Sequence, residues 1–250
     1  MGYGNNFTKK IYDFSPLLVK NAFATVFGYK QRLERYGKIY KKYKVLLNET
    51  QYWTKEDLLS YRNEKTVKFI NYIIENNEYY NKSPNYSKIN SVSELVNFPV
   101  INKQIVRANL EKLKSNKISI SHRMAHTSGT SGSSIIFPIS NYCFQREYAF
   151  RWMHYQWGNV SLDGKDRVAV CSGHPVAYNM RKKPPFWVYD YANNWLFFSS
   201  YHMTKDNLNA YIKELNKFQP KLLHGYPSSV YLLALANLNF GSNKVSIPKV

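Results

Sequence analysis

Cysteine is scarce in this sequence, with two residues, Cys143 and Cys171, among 250. Two cysteines cannot build the multi-bridge framework of a small secreted domain, and their spacing matches no zinc-binding pattern. This cysteine usage is typical of the reducing cytoplasm. We therefore predict a cytoplasmic protein without a disulfide framework, and the sequence singles out no metal ligands.

Long apolar runs are also missing. A mildly apolar stretch from Phe14 to Tyr29 is interrupted by Lys20 and Asn21. It is too short for a transmembrane helix and lacks the arrangement of a signal peptide. The sequence therefore predicts no transmembrane segment, while contact with a membrane surface stays open.

Acidic residues are few, at 16 against 35 lysines and arginines, which gives a formal net charge of +19. Such an excess makes nucleic acid or an anionic membrane the first partners to consider. The charge is spread, however, at +11 over residues 1–120 and +8 over residues 121–250, and no known nucleic-acid-binding pattern is present. Solvated basic faces explain this more simply. We predict no specific nucleic-acid partner and keep a nucleic-acid-binding protein as the weakest alternative.

Hydrophobic residues make up 44% of the chain, which is enough for a packed globular core. In the first part of the chain the patterns are helical. An apolar stripe with lysines opposite predicts an amphipathic helix over residues 29–47. Thr54 and Asp57 have the spacing of a capping box that opens a second helix, and Ser91 with Glu94 has the same spacing before a short helix.

In the second part, strand and helix patterns alternate, which indicates an α/β fold with a mainly parallel sheet and flanking helices. We predict a helical N-terminal region over residues 1–120 and an α/β nucleotide-binding portion over residues 121–250. Ligand sites in such sheets gather where strands end, which points to the loop Ser172–Pro175. The predicted strands are 134–139, 167–171, 195–199, 221–224 and 245–250, and the predicted helices are 142–157, one capped by Thr204, and 230–238.

One stretch is dense in glycine and hydroxyl residues: Thr127-Ser128-Gly129-Thr130-Ser131-Gly132. Its glycines leave the main chain open to a ligand, and its free N–H groups and hydroxyls are suited to phosphate oxygens. No lysine follows the last glycine, so this is not the P-loop of ATPases. On composition alone, a flexible Ser/Gly linker is the alternative.

The order of these residues resembles the Thr-Ser-Gly-Thr-Thr-Gly loop of the adenylate-forming (acyl-CoA ligase, AMP-binding) superfamily, which holds the β- and γ-phosphates of ATP. Ser131 replaces the family's last threonine and keeps the hydroxyl. The lysine that many members have just after the loop is absent. The resemblance implies that phosphate is bound by Thr127, Ser128, Gly129, Thr130, Ser131 and Gly132.

Other segments resemble one branch of that superfamily, the phenylacetate-CoA ligase family and its CapK-type proteins of capsular polysaccharide clusters. The most similar segment, residues 221–234, includes His224-Gly225-Tyr226-Pro227. The resemblance implies the N-terminal part of the large domain of adenylate-forming enzymes, with these four residues lining a substrate or nucleotide pocket. The alternative for His224 is a structural role, as a polar side chain at a strand end that is hydrogen-bonded within the protein. The remaining similar segments are 35–37, 79–80, 98–103 and 199–203.

The implied reaction joins a small carboxylic acid to ATP with Mg²⁺, giving an acyl adenylate, and then transfers the acyl group to CoA or another acceptor. Family members are much longer. Their adenine-stacking motif, ribose-binding aspartate and C-terminal catalytic lysine have no counterpart in these 250 residues. We therefore expect no catalysis from this chain alone and assign no catalytic residue. A separate chain supplying the C-terminal half, a truncated reading frame and a non-catalytic binding or scaffold protein all stay open.

Overall fold

A computed structural model describes residues 12–115, 122–127, 134–174, 176–178, 180–239 and 245–248. Contacts divide the chain into two compact units. The first unit joins Met1–Tyr36 to Arg151–Val250, and the second unit is Gly37–Phe150. This division follows contacts, whereas the predicted ranges 1–120 and 121–250 follow element type and stay a prediction.

Helices occupy the early part of the chain, and among the described residues the named strands begin at His122, so the protein is α/β as predicted. The helices are α1 (Leu17–Arg35), α2 (Lys38–Thr50), α3 (Lys55–Asn76), α4 (Glu78–Asn81), α5 (Lys103–Ala108), α6 (Asn141–Trp157), α7 (Leu208–Phe218) and α8 (Pro227–Leu238), with 3₁₀ turns at Val92–Asn97 and Ser200–His202. The strands are β1 (His122–His126), β2 (Ile136–Ser140), β3 (Val168–Ser172), β4 (Trp187–Asp190), β5 (Trp195–Ser199) and β6 (Leu222–Gly225).

Both predicted capping boxes are confirmed. The Thr54 hydroxyl accepts a hydrogen bond from Asp57 N at 3.1 Å, and Asp57 Oδ2 accepts one from Thr54 N at 3.3 Å. Glu94 Oε1 accepts from Ser91 N at 2.7 Å at the start of the first 3₁₀ turn. These contacts satisfy N–H groups that a helix start leaves unpaired, and they are set by local sequence alone.

The single helix predicted over residues 29–47 is wrong, because α1 ends at Arg35 and α2 begins at Lys38. The second helix starts after Gly37, where an added Cβ would come within 2.6 Å of Gln145 Nε2. Gln145 Oε1 accepts a hydrogen bond from Ile39 N at 3.1 Å. A side chain distant in sequence thus caps α2, and the periodicity of residues 29–47 contains no sign of it.

The sheet of the first unit has the strand order β4-β5-β3-β6. The central strand β3 runs parallel to β5 and β6, with Val168 opposite both Trp195 and Leu222. The predicted parallel arrangement is confirmed for these three strands. Strand β4 was not predicted, and it adds antiparallel to β5, with Trp187 opposite Phe198.

The core of the first unit lies between this sheet and α7. Tyr211, Ile212 and Leu215 of α7 are buried together with Leu196 and Phe198 of β5. Burying each large side chain is worth about 1.5–3 kcal/mol relative to leaving it exposed. This packing therefore holds the ends of the strands in place, and it also positions the loops that follow β3, β5 and β6.

Helix α1 covers the edge of the sheet at β4. Asn21 Oδ1 accepts a hydrogen bond from Tyr189 N at 2.9 Å, and Thr25 Oγ1 accepts one from Tyr191 N at 3.1 Å. At Gly28 the helix comes so near to the sheet that an added Cβ would lie 2.2 Å from Asp190 Oδ1. Because α1 accepts hydrogen bonds from N–H groups at this edge of the sheet, β4 is protected from pairing with another strand.

Two further predictions of secondary structure are wrong. Thr204 does not cap α7, which begins at Leu208, because the residues between form a turn in which Asn207 N donates to Thr204 O at 3.0 Å. The strand predicted over residues 245–250 is absent from its described part, residues 245–248. Val245 is held by Asn237 of α8, which accepts from Val245 N at 2.8 Å and donates to Val245 O at 2.9 Å.

Candidate functional site

The loops that follow β3, β5 and β6 lie together at the carboxyl ends of these strands, because the strands are parallel neighbours. Polar side chains gather there, as is usual for ligand sites in α/β proteins. The predicted loop Ser172–Pro175 begins one residue later than expected, because Ser172 is the last residue of β3; Gly173 and His174 follow the strand, and Pro175 lies outside the described residues.

Gly173 is the point where two tyrosine hydroxyls meet. Tyr201, just after β5, donates from its hydroxyl to Gly173 O at 3.4 Å. A Cβ at Gly173 would lie 3.1 Å from Tyr226 Oη and 3.4 Å from Tyr201 Oη. Both rings are exposed. The lack of a side chain at Gly173 therefore leaves room for two phenol groups, of which Tyr201 can accept from a ligand and Tyr226 can donate to or accept from one.

Ser172 contributes a hydroxyl that is buried and has no hydrogen-bond partner among the described residues. Its main-chain oxygen accepts a long hydrogen bond from Ser200 Oγ at 3.5 Å. Buried hydroxyls are nearly always paired, so an unpaired one needs an explanation. A polar ligand atom at the end of β3 would supply the missing partner.

The neighbouring cysteine has a different chemical character. Cys171 is fully buried in β3, and this burial raises the pKa of its thiol to about 12. An added Cβ at Gly225 would lie 2.4 Å from Cys171 O, so β6 and β3 approach here as only a glycine allows. The thiol stays protonated near neutral pH and is not a nucleophile.

The three histidines near the carboxyl ends of β3, β5 and β6 differ in environment. His202 is buried, and its ring is held by Ser199 Oγ at 2.8 Å from Nδ1 and by Tyr178 O at 3.0 Å from Nε2. The carbonyl can only accept, so Nε2 bears the proton and Nδ1 accepts from the serine. His202 is therefore a structural residue. His174 is partly buried, and burial, together with the positive charge of Arg35, lowers the pKa of its imidazole.

His224 is the histidine that faces a cavity. It lies in the edge strand β6, with its ring centroid 6.1 Å from that of Tyr155. Removal from water, and secondarily the guanidinium of Arg151, lower the pKa of its imidazole, so the ring is neutral near pH 7. A neutral imidazole can donate and accept one hydrogen bond each.

The cavity beside β6 has a volume of about 570 Å³, which is in the range of small-molecule sites. It brings together three of the four predicted pocket residues, His224, Gly225 and Pro227, whereas the hydroxyl of Tyr226 is directed to Gly173. The prediction that they bind substrate or nucleotide stays a prediction. The lining residues are His154, Tyr155, Gly158, Val160, Leu222, Leu223, His224, Gly225, Pro227, Val230 and Tyr231.

Sequence reasoning missed the contribution of α6 and of the turn after it to this cavity. His154 and Tyr155 are near the end of α6, about 70 residues before β6 in the chain. No role was predicted for His154. The helical pattern of residues 142–157 shows which side chains share a face, but it does not show which other element they meet.

The predicted phosphate-binding loop belongs to the second unit. Strands β1 and β2 form an antiparallel pair from His122 opposite Ser140 to His126 opposite Ile136. Beyond this pair, Thr127 N donates to Ile135 O at 3.0 Å, and Thr127 Oγ1 accepts from Ile135 N at 3.0 Å. Thr127 thus closes the base of the loop and keeps its hydroxyl proton for another acceptor. Ser128, Gly129, Thr130, Ser131 and Gly132 lie outside the described residues.

The ranges that the structure describes contain no group of three His, Cys, Asp or Glu side chains placed to hold a metal ion. Within those ranges no helix is long and apolar enough to cross a bilayer. The features of the first unit define an α/β protein with a ligand-sized cavity beside one edge of its sheet.

The sequence is similar to that of a known protein. It is 32% identical over 228 residues to Protein CapK of Staphylococcus aureus, a match that covers 90% of this chain and 49% of that protein. The chain therefore spans about half the length of this curated relative. No family model matches the chain, and no solved structure matches it. The chain is thus CapK-like in sequence.

Proposed function

We propose that this chain is the nucleotide-binding portion of an adenylate-forming, ligase-like protein that acts in capsular or other surface polysaccharide biosynthesis, or in acyl-CoA formation. The observation that supports this most is the similarity to CapK over 90% of the chain, combined with the phosphate-loop sequence that starts at Thr127. In this proposal residues 127–132 hold the phosphates of ATP, and Mg²⁺ accompanies the nucleotide. A small carboxylic acid is activated to an acyl adenylate and then passed to CoA or another acceptor.

The phosphates would be held by the loop that Thr127 closes. The Thr127 hydroxyl can donate to a phosphate oxygen while it accepts from Ile135 N. Successive main-chain N–H groups from Ser128 to Gly132 would add donors, as in other anion-binding loops. Bound ATP supplies the adenylyl group, and these donors would stabilise the charge that develops as pyrophosphate leaves.

The acyl group would occupy the cavity beside β6. Its walls are mainly apolar, from Val160, Leu223 and Val230, and these suit a hydrocarbon or aromatic acid. His224 is neutral near pH 7 and would offer a hydrogen bond to the carboxyl oxygens of the acid. At the neighbouring strand end, the Ser172 hydroxyl, which has no partner among the described residues, would be available to a polar atom of the acid.

The chain spans 49% of its relative, so in this proposal the complete reaction needs a second portion, supplied by the same protein or by a separate chain. The 250 residues alone would bind nucleotide without turning it over. A non-catalytic binding or scaffold protein differs from this, because it would retain the fold without binding nucleotide at the loop.

The test is a calorimetric titration of the 250-residue chain with ATP, with and without Mg²⁺. We expect Mg²⁺-dependent binding that weakens by about tenfold or more in Gly129→Trp, where an indole blocks the loop, a loss of roughly 1.4 kcal/mol. Ser87→Trp, at an exposed position of the second unit, is the matched control and should bind as the unaltered chain does.

Three results would contradict the proposal. A folded chain that binds no ATP would favour the scaffold alternative. ATP binding that is equal in Gly129→Trp and in the control would mean that the loop is not the phosphate site. DNA or RNA binding that persists at high salt would favour the nucleic-acid alternative, because purely electrostatic attraction weakens steeply with salt.

A further inference from the structure

Helix α1 has an exposed apolar face. Its exposed positions are Leu18, Val19, Ala22, Phe23, Val26, Tyr29, Lys30 and Leu33. Lys30 is the one charged side chain among them. Leu18 is 81% exposed and Leu33 is 83% exposed, one near each end of the helix. Contiguous apolar surface of this kind marks an interaction site in most soluble proteins. We call these eight residues the apolar face of α1.

The orientation of this face is fixed by the opposite side of the helix. Asn21 accepts from Tyr189 N in β4, and Gly28 lies against Asp190. Lys20 is 2% exposed and donates to Asp13 O at 3.0 Å. Rotating α1 to bury its apolar face would break these contacts and expose the buried side. The apolar face therefore remains outward as long as the sheet edge is intact.

Basic residues lie near the start of α1. Phe14, which precedes the helix and is exposed, packs against Tyr178 with ring centroids 5.4 Å apart. Exposed Met180, Lys182 and Lys183 follow shortly after Tyr178 in the chain. Arg181 is near enough to Lys20 that its charge helps burial to lower the pKa of that amine. Arg181 thus lies near the start of α1, and Lys182 and Lys183 follow it directly in the chain.

This combination favours a membrane over another protein surface as the partner. Aromatic and aliphatic side chains on one face, with lysines at its border, are typical of helices that lie in the headgroup region of a bilayer. A second copy of a chain with a net charge of +19 would be repelled, whereas anionic lipids would attract it.

We propose that the apolar face of α1, together with Lys182 and Lys183, binds an anionic membrane surface, with the helix lying parallel to the bilayer. Leu18, Val26 and Leu33 enter the headgroup region, and the two lysines contact lipid phosphates. The helix is ~28 Å long at 1.5 Å per residue, so both end leucines reach the surface together. Because this surface involves neither the cavity beside β6 nor the loop at Thr127, it is independent of the proposed ligase function.

The test is co-sedimentation of the full 250-residue chain with vesicles of phosphatidylcholine alone and of phosphatidylcholine mixed with phosphatidylglycerol. We expect binding to the anionic vesicles only. Leu18→Glu with Leu33→Glu should reduce the partition coefficient by about tenfold or more, through lost apolar burial and added repulsion. Lys182→Glu with Lys183→Glu should reduce it by about tenfold and also reduce its salt dependence.

The matched control is Val96→Glu with Val100→Glu in the second unit, where the valines are 84% and 92% exposed. It adds the same charge and should retain binding. The proposal is wrong if the unaltered chain stays in solution, or if the control loses binding as the Leu18/Leu33 variant does. It is equally wrong if sedimentation velocity shows a dimer that the Leu18/Leu33 variant dissociates, because the face would then belong to a second copy. Thermal melting of each variant establishes that it is folded.

Discussion

The two edge strands of the sheet in the first unit, β4 and β6, have different environments. At β4, side chains of α1 accept hydrogen bonds from Tyr189 N and Tyr191 N, and Asp190 is buried against Gly28. At β6, the His224 side chain is only partly removed from water, and the strand lines a cavity of about 570 Å³. One edge is closed by a helix, and the other is open to a ligand.

This difference indicates that the β4 edge contributes mainly to stability and the β6 edge mainly to ligand binding. At the closed edge, Tyr189 N, Tyr191 N and the Asp190 carboxylate are hydrogen-bonded inside the protein. The open edge and the neighbouring ends of β3 and β5 have two exposed tyrosines and the Ser172 hydroxyl, which has no hydrogen-bond partner in the part of the chain that the structure describes. Changes at the closed edge should therefore alter stability, whereas changes at the open edge should alter binding, except where β6 contacts β3.

That exception gives the largest expected effect. We expect Gly225→Ala to lower the free energy of unfolding by about 2–3 kcal/mol, because the new Cβ would meet Cys171 O, a main-chain atom that cannot move aside. Urea denaturation measures the change. Gly158→Ala in the same cavity wall is the control, since its Cβ would lie 3.4 Å from Tyr155 O, and it should change stability by less than about 0.5 kcal/mol. Equal effects of the two variants would show that β6 and β3 are not in this close contact.

At the closed edge, Asn21→Ala should lower the free energy of unfolding by about 1–3 kcal/mol, because it leaves the Tyr189 N–H without its acceptor. The same denaturation experiment detects this. Ala22→Ser, on the exposed face of α1, should have almost no effect. If Asn21→Ala is as stable as Ala22→Ser, α1 does not close the edge in the way described.

At the open edge, Tyr201→Phe with Tyr226→Phe removes two exposed hydroxyls and should change the free energy of unfolding by less than about 0.5 kcal/mol. The same double variant should weaken the binding of a small carboxylic acid such as benzoate, because it removes two hydroxyls beside Gly173 at the end of β3. Calorimetry and denaturation on one sample separate the two readouts. A large loss of stability would make these hydroxyls structural and would remove the contrast between the edges.

The smallest effect is expected in the titration of His224. Arg151→Gln should raise the pKa of His224 only part of the way to that of an ordinary histidine, because removal from water is the larger cause of its lowered value. A lowered pKa in the folded state means that the contribution of His224 to stability is present above the pKa of an unfolded histidine and is lost as the pH falls. Histidine NMR measures the shift, and an unchanged pKa in Arg151→Gln would show that this charge does not act on the ring.

The sequence alone was informative where the determinants are local. Thr54 with Asp57 and Ser91 with Glu94 predicted two helix starts correctly, because a capping box is complete within four residues. The apolar runs predicted β3, β5 and β6 to within one residue at each end, because strands buried in a parallel sheet are apolar throughout.

Prediction from the sequence was wrong or incomplete where a residue distant in the chain determines the local structure. The start of α2 at Gly37 depends on Gln145, and β4 exists because it pairs with β5. At the candidate site, the segment from His224 to Pro227 was recognised from its sequence, and three of its residues line the cavity. The meeting of Tyr201 with Tyr226 at Gly173, and the contribution of Tyr155, depend on how strands and helices pack, which no local pattern encodes.

The most direct test of the contrast between the edges is an NMR titration of the histidine-labelled chain with ATP, Mg²⁺ and a small aromatic acid such as benzoate. Resonances are assigned with His224→Gln and His202→Gln. The account predicts that ligand addition shifts the His224 ring signals while those of His202, held by Ser199 and Tyr178, remain in place. Shifts at His202 without shifts at His224, or no shift at either in a folded chain, would contradict the claim that the open edge at β6 is the ligand site.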